Sequence, residues 1–510
     1  MKNKHIKISQ LLLLAVTVLF YSCYKDNGNY DYTAINKLTV TDTASATRKF
    51  IVPGDTLRLT PVIKQTLGTN EDSLTYFWSA YDNSSNSDYT VPPITLATTR
   101  NLNYVMGGSF TLGQDYRLTL KVTDKITGVS AFVQYDLTIA NKFAQGWMLF
   151  EDKSGAGDIA MILPANTIER NVYSDRNKAN PLGKPVALMS TQFSITDDMS
   201  APGKRIYLLT ENDGQELNGL TMIKKFDYGY LFFAKPAVVK PSYQGWTGYL
   251  SGVNQFQRSG VAINDGKIYT NLVGGFPGIK KWGEALITPA GNYNYNIAPY
   301  IAGGVISSPT YATVVYDNIG KRFYVVGTTS LTAFPTSASN TVFDMNNVGL
   351  DLVSMDSASV SGTYNAIMKD ATNNPFLLQF KTTSTVADPV ITMAKIAMNA
   401  PGIAGTKLIT TSTLTPHIYY AIGNKINKYE TTSNTYKEVA SLPAGETVTK
   451  VIYQKYVPGT AVTRLVVSTW NGTEGKVYYY NISNVGDLST TYTNVFTGFA
   501  RIVDMAYKYP

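Results

Sequence analysis

From residue 146 onward the chain repeats one kind of unit: a short apolar run, a turn built on Gly, Asn or Asp, and a second apolar run. Gly146 to Ile162 is the first, folding around Gly155-Ala156-Gly157. Comparable runs occur at Arg205–Thr210 before an Asn212-Asp213-Gly214 turn, at Lys267–Tyr269 after Asp265-Gly266, and at Lys321–Val326. Pro375–Phe380, His417–Ile422 and Arg464–Ser468 complete the series. Their spacing drifts between about 40 and 60 residues, the length of a four-stranded blade with its loops. Seven such units share residues 145–510 at roughly 52 residues each. The expectation is an all-β chain whose residues 145–510 form a β-propeller, seven-bladed, with six and eight blades open. Ala500 to Tyr507 would complete the blade begun at Gly146 and close the ring. Tandem β-sandwiches are the competing reading, because no strict blade motif recurs. Helical periodicity is absent; only Met393–Ala400 leaves room for a short helix, which Pro401 would end. The 36 Tyr, with Thr and Val, favour strands.

Residues 36–141 carry a different pattern. Tyr116, Leu118, Leu120 and Val122 alternate with Arg117, Thr119, Lys121 and Thr123, and a turn at Lys125–Gly128 leads into Ala131–Ile139. Period-two strands joined by a short Gly-containing loop read as a hairpin on a half-buried sheet. Leu38–Val40, Leu57–Ile63 and Leu74–Trp78 add strands. About seven short strands in roughly 105 residues, with one Trp among them, predict an immunoglobulin-like sandwich.

The N-terminus reads as an address. Lys2, Lys4 and Lys7 precede an apolar stretch from Leu11 to Tyr21, then Ser22 and Cys23. The run is too short to span a bilayer and reads as a signal h-region. Leu19 to Cys23 resembles a lipoprotein cleavage site, with Phe20 and Tyr21 departing from its usual residues. Residues 1–22 are thus expected to be a signal peptide, Cys23 the lipidation site and 23–35 a polar tether. Two or more acyl chains suffice for stable anchoring, so the membrane is one expected partner. The cell envelope, at the outer membrane, is the expected location, with its surface or periplasmic side open. Losing residues 1–22 removes three Lys and lowers the formal charge from +8 to +5. No Lys/Arg run interleaved with aromatics tracks phosphates, so no nucleic-acid partner is expected.

Cys23–Tyr32, Gly54–Pro61, Leu74–Trp78 and Tyr116–Asp124 together resemble the PKD-like lipoproteins of Bacteroidota. Trp78-Ser79-Ala80-Tyr81-Asp82 stands where ordinary PKD domains carry an aromatic-acidic-glycine motif. The resemblance covers residues 23 to about 140 and the remainder only by domain order. It implies a PKD-like sandwich and a lipid-anchored, surface-associated scaffold partnering a nutrient-uptake system. It supplies no catalytic residue.

Conventional catalysis has little to work with. His5 lies in the leader, leaving His417, and Cys23 is the sole cysteine. Multi-histidine metal centres, Cys-ligated metals and intramolecular disulfides are excluded. There is no Gly-x-Ser-x-Gly elbow and no phosphate loop ending in Lys-Ser/Thr. Gly155-Ala156-Gly157 joins two strands, so it lacks a helix N-terminus. No metal, cofactor or catalytic residue is assigned. Asp82–Asp88 has calcium-type oxygen atoms without a calcium-loop spacing. Glu151, Asp152, Glu211, Asp213, Glu216, Asp227 and Glu284 would be the acids of a glycosidase or lyase, if two of them faced each other. Candidate ligand-binding aromatics are Tyr243, Trp246, Tyr249, Trp282, Tyr293, Tyr295 and Trp470, set among Gly, Asn and Lys; the competing role for each is filler between blades. The resulting expectation is a non-enzymatic binding or scaffold protein recognising a glycan or an envelope protein. A propeller-fold carbohydrate-active enzyme and an adhesive module are the alternatives.

Overall fold

The computed structural model describes residues 34–51, 55–68, 70–83, 91–107, 109–140, 142–181, 183–191, 195–196, 202–246, 260–271, 281–303, 313–327, 329–336, 339, 341–360, 362–383, 388–454 and 463–509. The leader, Cys23 and most of Asp82–Asp88 lie outside these residues. The chain divides into two compact units between Ile139 and Ala140.

In the N-terminal unit one sheet runs in the order Lys49–Ile51, Ser130–Ile139, Asp115–Asp124, Leu74–Asp82, Ile94–Ala97. Two strand pairs, Leu38–Thr41 with Val62–Gln65 and Thr56–Leu59 with Leu102–Val105, complete a sandwich-like arrangement. The period-two pattern explains the packing. Tyr116, Leu118, Leu120 and Val122 all enter one core with Leu57, Leu59 and Leu102, while Lys121 stays outside. Trp78 is fully buried there, its indole N–H donating to the Thr99 carbonyl at 3.0 Å.

The C-terminal unit contains seven four-stranded antiparallel sheets, blades I to VII, the fold of a β-propeller. Their first strands are Arg501–Lys508 (blade I), Pro185–Ser190 (II), Pro241–Trp246 (III), Ala302–Gly303 (IV), Asp351–Ser357 (V), Ile409–Thr411 (VI) and Thr447–Gln454 (VII). Taken in ring order from blade IV through VII and I to III, the first strands pack on one another, which makes them the inner strands around the axis. Blade I is built from both ends of the unit. Arg501–Lys508 pairs antiparallel with Gly146–Lys153, as the apolar run at the terminus predicts.

Seven apolar clusters occupy the seven junctions and close the ring. This explains why the central strands of the blades are largely apolar. In Arg205–Thr210, Ile206 and Leu208 pack toward blade I, whereas Tyr207 and Leu209 pack toward blade III. Every residue of that strand is buried. The expected helix near Met393 is instead the outer strand Val390–Ala397, where only one face is covered and buried residues alternate with open ones. The one α-helix among the described residues, Val172–Asn177, has no counterpart in the sequence pattern; it connects blades I and II.

Candidate functional site

An inner propeller strand has a partner on one edge only, so its other edge faces the axis. A β-bulge there adds one residue, bends the strand and re-aims the next side chain. Five of the seven inner strands carry one near their start. The extra residues are Val503 in blade I, Val186 in II, Ser242 in III, Val353 in V and Thr449 in VII. Immediately after them stand Asp504, Ala187, Tyr243, Ser354 and Lys450, four of which are polar.

Lys450 and Asp504, with groups on neighbouring residues of the inner strands, form a ring of contacts between blades. Lys450 Nζ lies 2.6 Å from Asp504 Oδ1, joining blade VII to I. Asp504 Oδ2 accepts the Leu188 backbone N–H at 2.8 Å, joining I to II. The Gln244 N–H donates to Met189 Sδ at 3.1 Å, joining III to II. Tyr300, just before the inner strand of blade IV, donates its hydroxyl to the carbonyl of Val353, the extra residue of blade V, at 3.1 Å. Tyr364 of blade V in turn donates to the Gly303 carbonyl of blade IV. Asp356 Oδ2 accepts the Thr411 N–H at 3.3 Å and Thr410 Oγ1 accepts the Tyr453 N–H at 3.0 Å, linking V to VI and VI to VII. Among the described residues only the III–IV junction lacks such a link at the inner strands.

Electrostatics show that the ring is shared across the axis. Desolvation pulls the Lys450 ammonium down, but Asp504 foremost, with Tyr300 and Asp356, more than offsets it, and the pKa is raised. Blade VII and the loop entering blade IV stand on opposite sides, so this influence crosses the axis. Lys450 keeps 36% side-chain exposure and Asp504 12%; the lysine side chain is in part open to water although its charged end is densely surrounded. Desolvation pushes Tyr300 and Tyr364 above the ordinary phenol value and Tyr243 up to about 12, so all three are neutral hydroxyl groups. Among the described residues the ring therefore offers an ammonium, two carboxylates and several hydroxyls, a set suited to orienting a polar ligand.

Of the described aromatics proposed from sequence, Tyr243 alone stands on an inner strand, half-buried against the wedge between blades III and IV. Trp282 and Tyr295 are buried in the wedges between blades II, III and IV, so neither is an open platform. Tyr295 donates to the Leu286 carbonyl at 2.7 Å. Tyr293 is exposed on the loop between blades III and IV, and Trp470 is half-buried at the end of a blade VII strand. The Trp246 side chain and Tyr249 lie outside the described residues. The five described aromatics are therefore not one surface, because junctions buried on both faces of a blade take up the large rings.

The proposed acids are likewise scattered over blades I to III. Glu151 is buried, its carboxyl raised by desolvation while it accepts the Ala500 N–H at 2.7 Å. Glu216 faces Arg205 at 3.1 Å and Asp227 faces Lys224 at 2.9 Å. His417 sits on the second strand of blade VI, against Gly486, with its imidazole pKa lowered by desolvation. The ring residues Lys450, Asp504, Asp356, Ser354 and Tyr300 escaped sequence reasoning. Their one signal was a lone charge inside an apolar strand, as in Lys450-Val451-Ile452-Tyr453 and Ile502-Val503-Asp504-Met505.

A model of the PKD-like family matches residues 23–185, past the sandwich and up to the first residue of the blade II inner strand. No curated protein sequence matches the chain. Among solved structures, it is similar to a quinonprotein alcohol dehydrogenase-like protein from Bacteroides thetaiotaomicron, at 14% identity and TM-score 0.38, covering 91% of this chain and 99% of that one. It is also similar to the Nup133 β-propeller domain of Vanderwaltozyma polyspora, at 10% identity and TM-score 0.32, covering 60% and 85% of the two chains.

Proposed function

We propose that this protein is a lipid-anchored binding protein of the cell envelope, a lipoprotein of the Bacteroidota type, whose propeller axis holds the end of a glycan. The observation that carries the binding reading is the axial ring. Bulges in separate blades immediately precede Asp504, Tyr243, Ser354 and Lys450 on the inner strands, and Lys450 responds to groups from across the axis. Structural ion pairs alone do not require five inner strands to be bulged near the same end. The leader and Cys23 support the anchor, and the match to the PKD-like family over residues 23–185 agrees with a scaffold domain preceding the propeller in sequence.

Two experiments test this. Radiolabelled palmitate should label the chain and membrane fractionation should retain it, with Cys23→Ala abolishing both; a labelled Cys23→Ala chain sinks the anchor. A glycan array probed with the full chain, scored for retention and for cleavage, tests the site. Retention without cleavage is expected, and cleavage would move the reading to the carbohydrate-active enzyme.

A further inference from the structure

Resting on that reading of the axis, we infer that the ring selects neutral, hydroxyl-rich glycan ends over uronate or sulfated ones. Lys450 is the one ammonium of the ring among the described residues, and it is already matched by Asp504 at 2.6 Å. Asp356 bears on the same ammonium. An incoming carboxylate or sulfate would compete with Asp504 for Lys450 and stand beside Asp356. Whichever anion lost the contest would be left in a poorly hydrated site without its cation, a costly outcome.

A sugar hydroxyl meets no such conflict. It accepts from the ammonium and donates to a carboxylate in the same position, leaving the ion pair intact. Tyr300 and Tyr364 already donate their hydrogens to the Val353 and Gly303 carbonyls. Their oxygen lone pairs are thereby turned toward acceptance from a ligand hydroxyl, and desolvation keeps both phenols neutral. Ser354 supplies a further hydroxyl close to Tyr300. The ring thus reads as donors and acceptors in balance around a fixed charge pair, the chemistry of polyol recognition.

The test titrates the full chain in detergent with xylotetraose and mannotetraose, with tetragalacturonate and a sulfated galactan tetrasaccharide, and with fully deacetylated chitotetraose. At least one neutral probe should bind about tenfold or more tighter than every charged one. Tyr300→Phe should weaken that binding severalfold while the melting temperature falls by only a few degrees, as loss of one hydrogen bond to the Val353 carbonyl requires, and Asp356→Asn should narrow the gap to the acidic probes. Lys450→Met is a poor sole test, because it strands Asp504 and threatens the junction between blades VII and I. Tightest binding of an acidic or cationic probe overturns the selectivity and leaves the glycan reading standing. Neutral binding indifferent to both Tyr300→Phe and Asp356→Asn places the site elsewhere and overturns the inference. Retention of no probe overturns the glycan reading and the inference with it.

Discussion

The two units solve the burial of strands in opposite ways. In the sandwich a strand has one covered face, so Leu118 and Leu120 are buried while Lys121 between Leu120 and Val122 is exposed. In the propeller a strand has a blade on either side, and Ile206 to Leu209 are buried without a break. Polar residues at the alternate positions of such a sandwich strand, Lys121 among them, therefore face water, where they cost little. In the propeller a polar residue on a central strand must find a partner inside or reach the axis. That is why a charge on an inner propeller strand carries information about function, whereas a charge on a sandwich strand does not.

Ring closure gives the sharpest contrast. Deleting residues 501–510 removes the inner strand of blade I, its ladder with Gly146–Lys153, and Ile502 and Met505 from the last junction cluster. Calorimetry of the full chain should resolve separate sandwich and propeller transitions, and the truncated chain should keep only the first. A propeller transition that survives truncation would show that the ring does not depend on its closing strand.

Ion pairs come next. Arg205 and Glu216 face each other at 3.1 Å with 5% and 1% side-chain exposure, whereas Arg117 and Asp136 of the sandwich are each more than 40% exposed at 3.2 Å. Glu216→Ala should cost about 3 kcal/mol, the lower end for breaking a buried pair. Asp136→Ala should cost less than about 1 kcal/mol. Chemical denaturation of both variants measures the difference, and equal costs would erase the distinction between the two environments.

Neighbouring substitutions test the burial pattern itself. Leu208→Ala and Leu209→Ala should each lose about 2–5 kcal/mol, since both side chains are fully buried on opposite faces. Leu120→Ala should lose a similar amount, but Lys121→Ala should stay within about 0.5 kcal/mol. A tolerant Leu209 would mean that one face of blade II is not tightly covered.

The same contrast explains what the amino-acid pattern could reveal. Alternation in Tyr116–Val122 declared a half-buried sheet, and repeated hairpins declared blades, because both are local periodicities. The closing strand was legible as one apolar run left over at the terminus. The ring was not, because a bulge is a single extra residue with no compositional mark, and its side chains come from segments as distant as Tyr300 and Asp504. Aromatics misled for a related reason. Trp282 and Tyr295 sit among turn-forming residues in sequence, yet the wedge between two blades needs large rings. Val172–Asn177 escaped because six residues are too few to show a helical period.

Acid should produce the smallest difference, and one the two units share. Each holds an aspartate in a turn between consecutive strands. In the sandwich Asp124 accepts the Ile126 N–H at 2.9 Å, the Thr127 hydroxyl at 2.9 Å and the Asn36 amide at 3.1 Å, which lower its pKa. In blade V Asp370 accepts from the Asn374 side chain and backbone and from Thr372, and these bonds hold it down to about 2. A carboxyl depressed in the folded state binds its proton more readily when unfolded. Its contribution is therefore fully present above the ordinary carboxylate value and lost as pH falls through the folded one. Carboxyl carbon NMR should give Asp370 a midpoint of about 2, with Asp124 also below the ordinary range. Asp124→Asn and Asp370→Asn should each flatten the acid loss of the transition belonging to their own unit. If Asp370 titrates near the ordinary value while Asp124 does not, the hydrogen bonds that fix the turn of blade V do not persist in solution as those of the sandwich turn do.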